Sequence, residues 1–202
     1  YNSLCNMRIP AIVYTGDEST LPEIFERINS KGVALTEYEI YAASWPRKEF
    51  NIKSAEIIEY VLKKYDTLND SEYSIKDYDR DSKRIKKNVN AFEYVFGLSK
   101  YIQNKYSSLN FYKKLKDDET NPVAFQLLNA CFNSAHNQIK DVHKIITRYM
   151  NNIDILENAL YSSIEFVNSC IEPILKFKGN NRKVEGKIFH SQYQIMSLIS
   201  FT

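Results

Sequence analysis

The sequence predicts a mainly α protein: a helical bundle preceded by a short α/β segment of one strand and two helices. Three observations carry this expectation. Glycine and proline are scarce, at 5 each in 202 residues, which disfavours a turn-rich β fold. Apolar residues recur at helical spacing from Ser54 to the end of the chain. Only Arg8–Thr15 (RIPAIVYT) has strand character, being short, apolar and β-branched, and Gly16-Asp17 ends it in a turn.

The elements follow in order. After the expected strand, Ser19 precedes a helix with Pro22 in its first turn and Glu23 nearby. Leu21, Ile24, Phe25 and Ile28 form its apolar face, and Gly32 stops it as a left-handed C-terminal residue would. Thr36 begins the next helix with Glu39 as the partner of a capping box, and Trp45-Pro46 ends it. Ser54 caps a helix with the stripe Ile57, Ile58, Val61, Leu62 and Tyr65. Residues 67–87 are polar and mixed in charge, and read as a loop with a short helix. Asn88 or Asn90 starts a long helix with Phe92, Val95, Phe96, Ser99, Ile102 and Tyr106 on one side. Asn121-Pro122 starts another, carrying Leu127, Leu128, Cys131 and Phe132. A further helix shows Ile139, Val142, His143, Ile146, Tyr149 and Met150. Ile153, Leu156, Leu160, Ile164, Val167, Ile171 and Ile174 then keep one face of the longest helix, with Pro173 placed to kink its end. Residues 178–187 (KGNNRKVEGK) are a basic loop, and a last helix starts near Ser191. The texture divides the chain into residues 1–46 and a helical domain, 47–202.

Composition narrows the function classes. Net charge is +2, so no global polybasic field points to nucleic acid or an anionic membrane. No apolar run reaches the roughly 18 residues that a membrane helix needs, and no membrane partner is expected. The three cysteines, Cys5, Cys131 and Cys170, are odd in number and far apart, which suits a reducing cytoplasm and gives no metal-ligand spacing. No Met opens the chain, and the apolar run Ile195–Phe201 ends it without a cap, so both ends read as cuts through a longer protein.

The string from Leu21 to Trp45 carries a pattern of its own. Phe25, Arg27, Ile28, Asn29, Gly32, Leu35 and Glu39 stand at the spacing of a signature in the GmrSD-type restriction family, which this stretch resembles. Phe92–Ile102 (FEYVFGLSKYI) and, less specifically, Phe189–Ser200 (FHSQYQIMSLIS) look like the helical part of such proteins. The resemblance implies an N-terminal domain similar to ParB and sulfiredoxin domains, which binds and hydrolyses nucleoside triphosphates through an Asp-Gly-Gln-Gln-Arg motif. It implies a helical region next and, in many members, a His-Asn-His-type nuclease domain. Such proteins restrict phage DNA that carries modified bases or phosphorothioate linkages. This sequence has neither the Asp-Gly-Gln-Gln-Arg string nor a nuclease motif. The resemblance therefore makes residues 1–46 the C-terminal part of a ParB-like nucleotide-binding domain. It places both active centres, with a nucleoside triphosphate and a divalent metal, in the full-length parent.

Several residues invite chemistry, each against a structural alternative. Arg27, Asn29, Lys31 and Gly32 could handle phosphate: Arg27 as a fork, Asn29 as an amide donor or orienter, Gly32 through a free backbone N–H. Equally, Arg27 and Glu23 are four apart and fit a surface pair, while Asn29 and Gly32 fit a helix end. Glu39 fits a cap better than a general base. Lys83, Arg84, Lys86 and Lys87, and Arg182, Lys183 and Lys187, are basic clusters able to meet DNA phosphates, or to form solvated faces. Asp77, Asp79 and Asp81 dilute the field of the first cluster. His136 and His143 are two turns apart, but no third ligand completes a metal set, and His143 sits on an apolar stripe. No nucleophilic triad can be assembled, although Cys131 is near His136 in sequence.

The expected function is that of a fragment, itself without a catalytic centre or a bound metal, from a nucleotide-dependent, modification-sensing restriction protein of the cytoplasm. Its expected partners are DNA, reached through the parent, and the other domains of the same chain, with self-association left open. The alternative is a helical scaffold for protein–protein interaction with no nucleotide role.

Overall fold

The protein is described here from a computed structural model, which describes residues 13–17, 20, 24, 37–70, 78–106, 122–132, 139–177 and 192–202. The chain divides into two units, Tyr1–Ser44 and Trp45–Thr202.

In the first unit, α1 spans Glu37–Ser44, beginning one residue after Thr36 and ending just before Trp45-Pro46. The strand expected over Arg8–Thr15 needs correction where it can be seen. Val13–Thr15 are not in a strand, and Val13 is 81% exposed. The Tyr14 hydroxyl bonds that of Thr20, while the Thr20 N–H donates to the Asp17 carbonyl at 3.0 Å. The chain reverses at Gly16-Asp17, where a strand would need a partner. Residues 8–12 and most of the first expected helix lie outside the described residues.

The second unit holds α2 (Ala55–Asp70), α3 (Arg80–Lys86), α4 (Ala91–Lys105), α5 (Pro122–Phe132), α6 (Val142–Tyr149), α7 (Ile153–Phe177) and α8 (Gln192–Phe201). Local signals set several of these starts. The Ile57 N–H donates to the Ser54 hydroxyl at 3.3 Å, and Asp79 accepts from the Asp81 and Ser82 amides at the start of α3. At α4 the box is reciprocal. The Glu93 N–H donates to Asn90 Oδ1 at 3.0 Å, and the Asn90 N–H donates to Glu93 Oε2 at 2.9 Å. The start of α5 is completed by another helix: the Ala124 N–H donates to the Ser99 hydroxyl of α4 at 3.0 Å.

Helix α4 is the post of the unit. It packs against α2, α5 and α6. Its stripe was expected on one side, but Ala91, Tyr94 and Leu98 are buried along with Val95, Phe96, Ser99 and Ile102. A helix buried nearly all round needs apolar residues on most faces, and here Lys100, Gln103, Asn104 and Lys105 supply its outer surface beside the half-buried Phe92 and Tyr101. Helix α5 packs against α6 and α8, and α7 packs against both as well. Ile153, Leu156, Leu160, Ile164, Val167 and Ile171 form the buried face of α7, as their spacing predicts, with Pro173 inside the helix.

A two-residue antiparallel ladder was not expected in this unit. β1 (Phe50–Asn51) pairs with β2 (Asn88–Val89), Phe50 opposite Val89 and Asn51 opposite Asn88. Lys87 takes a left-handed conformation (φ 50°) that closes α3 and turns the chain into β2. The ladder ties the segment before α2 to the segment before α4.

Candidate functional site

The nucleotide candidates Arg27, Asn29, Lys31 and Gly32 lie outside the described residues, as do Arg182, Lys183 and Lys187 of the late basic loop. His136, His190 and Cys5 also lie outside them. What can be described is the first basic cluster and the cleft beside it.

The cluster does not form one free cationic face. Lys83 turns inward from α3. Its Nζ stands 2.9 Å from Glu93 Oε2 and 3.2 Å from Glu49 Oε1, and its side chain keeps only 12% of its exposure. It also lies over the Tyr65 ring, 5.8 Å from the centroid. Arg84 Nε stands 2.7 Å from Glu59 Oε1, on a side chain that is 58% exposed. The Lys87 ammonium donates to the Lys53 carbonyl at 3.2 Å. Lys86 is exposed, and its carbonyl accepts from the Asn51 side-chain amide. Three of the four basic side chains thus hold neighbouring elements together, through carboxylates or a backbone carbonyl.

Glu93 is the hub. It is buried, and it accepts from the Asn90 N–H, the Lys83 ammonium and the Tyr65 hydroxyl. These donors compensate the desolvation of its carboxylate. Burial, with Glu93 next to it, pushes the Tyr65 phenol far above its usual range, so Tyr65 remains a donor. Tyr78 stacks on Tyr65 at 4.5 Å between ring centroids, and the buried Tyr78 hydroxyl has no partner.

Between α2, α3 and α4 lies an open cleft of about 990 Å³. Its walls carry Lys63, Arg80, Arg84 and Lys105 against Glu56, Glu59 and Asp66. Arg80 Nε donates to both Asp66 oxygens, at 3.1 and 3.2 Å. At one end Lys105 lies over the rings of Tyr101, Tyr106 and Tyr161, at 5.5, 5.2 and 5.2 Å, and 3.4 Å from Glu165 Oε1. Although burial opposes its charge, the surrounding phenols hold the Lys105 ammonium above its usual pKa. The alternation of sign makes this cleft a weak phosphate groove and a good brace between helices.

A second buried acid joins α4 to α7. The Tyr94 hydroxyl donates to Glu157 Oε1 at 3.1 Å, and both residues are buried. Burial raises the Glu157 carboxyl, with Asp154 adding to the rise, while the Tyr94 bond and Lys53 oppose it. His143 packs 5.5 Å from Trp45, and its Nδ1 meets the Lys140 carbonyl at 2.8 Å. This is the packed histidine that its place on an apolar stripe suggests. Burial pushes the Cys131 thiol up to about 11, so it is a poor nucleophile at neutral pH. Cys170 is exposed.

Sequence reasoning missed the Lys83–Glu93–Tyr65 cluster and the Tyr94–Glu157 bond. One signal was available for the first: Asn90 and Glu93 have the spacing of a capping box, which brings Glu93 back over the helix start. No family model, curated protein or solved structure matches the chain. No helix among the described residues is long and apolar enough to cross a membrane.

Proposed function

We propose that the chain is part of a nucleotide-dependent, modification-sensing DNA restriction protein of the GmrSD type. In it, residues 1–46 belong to a ParB-like nucleotide-binding domain and the helical unit is its connector. The observation that carries this reading is the seven-position string Phe25, Arg27, Ile28, Asn29, Gly32, Leu35 and Glu39. In this reading Arg27 pairs with a phosphate of the nucleotide, Asn29 orients it, and the Lys31-Gly32 turn lets the backbone approach. Hydrolysis and cleavage belong to parts of the parent that carry the Asp-Gly-Gln-Gln-Arg motif and a nuclease motif.

The helical unit supports a connector role through its construction. A post buried on nearly every side, braced by Glu93 and Glu157, moves as a body and does not dissolve locally. Phosphate contact then rests on exposed Lys86, on Arg84 once it exchanges Glu59 for phosphate, and on Arg182 and Lys183. A second reading, a helical interaction scaffold with no nucleotide role, is favoured by the engagement of Lys83, Arg84 and Lys87 within the protein.

The deciding experiment assays the full-length parent for GTP and ATP hydrolysis and for cleavage of modified DNA. Hydrolysis coupled to cleavage supports the restriction reading, and a parent with neither activity leaves the scaffold. An Asp-Gly-Gln-Gln-Arg string encoded upstream of Tyr1 discriminates the two more cheaply.

A further inference from the structure

Helices α5 and α8 enclose a cleft of about 480 Å³ that no charged residue is seen to line. Its described lining has two characters. Gln126, Asn129 and Gln194 bring three carboxamides to one space, and Ser197 adds a hydroxyl. Ile139 and Met196 supply apolar wall. Asn129 is only 3% exposed, and Asn129, Gln194 and Ser197 each have a partner within the protein. The Gln126 carbonyl oxygen is buried and has no hydrogen-bond partner. Burying the unpartnered Gln126 oxygen between helices costs stability, whereas Leu in its place would pack freely.

We infer that this cleft is a binding site for a nucleobase. The volume lies in the range of small-ligand pockets. The lack of charge in the described lining disfavours a phosphate or an ammonium as the recognised group. A carboxamide offers a donor and an acceptor side by side, which matches the edge of a base, and best the N6–H and N7 pair of adenine. A swing of the Gln126 amide brings its unsatisfied oxygen to such a donor. Ile139 and the polarizable Met196 provide apolar contact for the faces of a flat ring. The inference is independent of the Leu21–Trp45 string, because every residue it uses lies in α5, in α8 or in the turn before α6.

The test uses the whole chain. Adenosine, guanosine, cytidine and thymidine are titrated by calorimetry, and so is a short oligodeoxyadenylate strand. Gln126→Leu removes the amide at similar volume, and Gln194→Ala alters an exposed position where folding is insensitive. The expected result is saturable binding with adenosine the tightest, weakened roughly tenfold by either variant, about the worth of one lost hydrogen bond. Binding of the nucleoside assigns a free ligand, and binding of the strand alone assigns a base presented by nucleic acid. If neither binds at about 10 mM, or if Gln194→Ala binds both probes as well as the unaltered chain does, the inference is overturned. Circular dichroism separates an unfolded Gln126→Leu from a folded one, and Gln194→Ala decides if the former does not fold.

Discussion

Glu93 and Glu157 are both buried acids, yet their surroundings set them different tasks. Glu93 has an ammonium, a phenol and a backbone amide, so removing it takes the acceptor from all three and leaves Lys83, in a site with little water, with the half-exposed Glu49. Glu93→Ala is expected to cost roughly 3–5 kcal/mol, the range for breaking a buried pair from one side. Arg84→Ala removes an exposed partner of Glu59 and is expected to cost ~0–1 kcal/mol. Urea unfolding of the two variants checks the contrast, and equal losses would refute the burial argument. Glu157 has Tyr94 as donor, Asp154 as like charge on its own helix, and Lys53 as the opposing cation from before α2. Its carboxyl is raised in the fold, so the folded state binds the proton more tightly than the unfolded chain does. That contribution is complete below the ordinary Glu pKa and is lost as pH rises through the higher folded value. Glu157→Gln keeps an acceptor for Tyr94 and removes the titration. The variant should therefore gain thermal stability over the unaltered chain at pH 7, and gain less at pH 4. A gain that does not depend on pH would refute the assignment. Neither site was legible as a cluster. Tyr65 precedes Glu93 by 28 residues and Tyr94 precedes Glu157 by 63, and nothing local marks such pairs.

At the scale of elements, the starts were legible because they are chemistry within a few residues. Ser54 and Asn90 each open a helix by supplying an acceptor from its own sequence, and Pro122 spares a donor at the start of α5. The β1–β2 ladder was not legible, since two-residue strands carry no period and exist only because distant segments meet. The same limit hid the closeness of α2 and α4. A Cβ on Gly97 would meet the Ile57 carbonyl oxygen and Cγ2 at 2.7 Å, and Val61 Cγ2 at 3.1 Å. In an exposed helix, Gly→Ala gains about 1 kcal/mol. Here the Ile57 oxygen is backbone and cannot swing aside, so Gly97→Ala is expected to destabilise by roughly 1–3 kcal/mol through overpacking. Thermal unfolding checks it, and a raised midpoint would mean that the helices separate freely. Asn90→Ala is expected to cost roughly 0.5–2 kcal/mol by opening the box at the start of α4.

For the molecule as a whole, the mainly helical class was legible from low Gly and Pro and from sustained helical spacing. The expected DNA face was legible only as composition. A run such as Lys83–Lys87 counts charges, whereas helix geometry decides which of them turn inward. If the proposed function holds, Arg27→Ala in the full parent weakens GTP or ATP binding about tenfold or more, the scale of one charged hydrogen bond. In the same parent, Lys86→Ala reduces the salt dependence of DNA binding by about one counterion, while Lys83→Met leaves that slope unchanged. Titration calorimetry and fluorescence anisotropy at several salt concentrations read the two outcomes. A slope that falls with Lys83→Met and not with Lys86→Ala would reverse the assignment of the basic cluster.

Trp45 is the sole tryptophan of the chain and is 4% exposed. It rests against Phe92 of α4, Phe125 of α5 and His143 of α6. Its emission is therefore a single-site optical signal from the heart of the helical unit. The indole should emit at short wavelength when folded and move to the red as α4, α5 and α6 part. Without any label, the protein can thus report its own loosening.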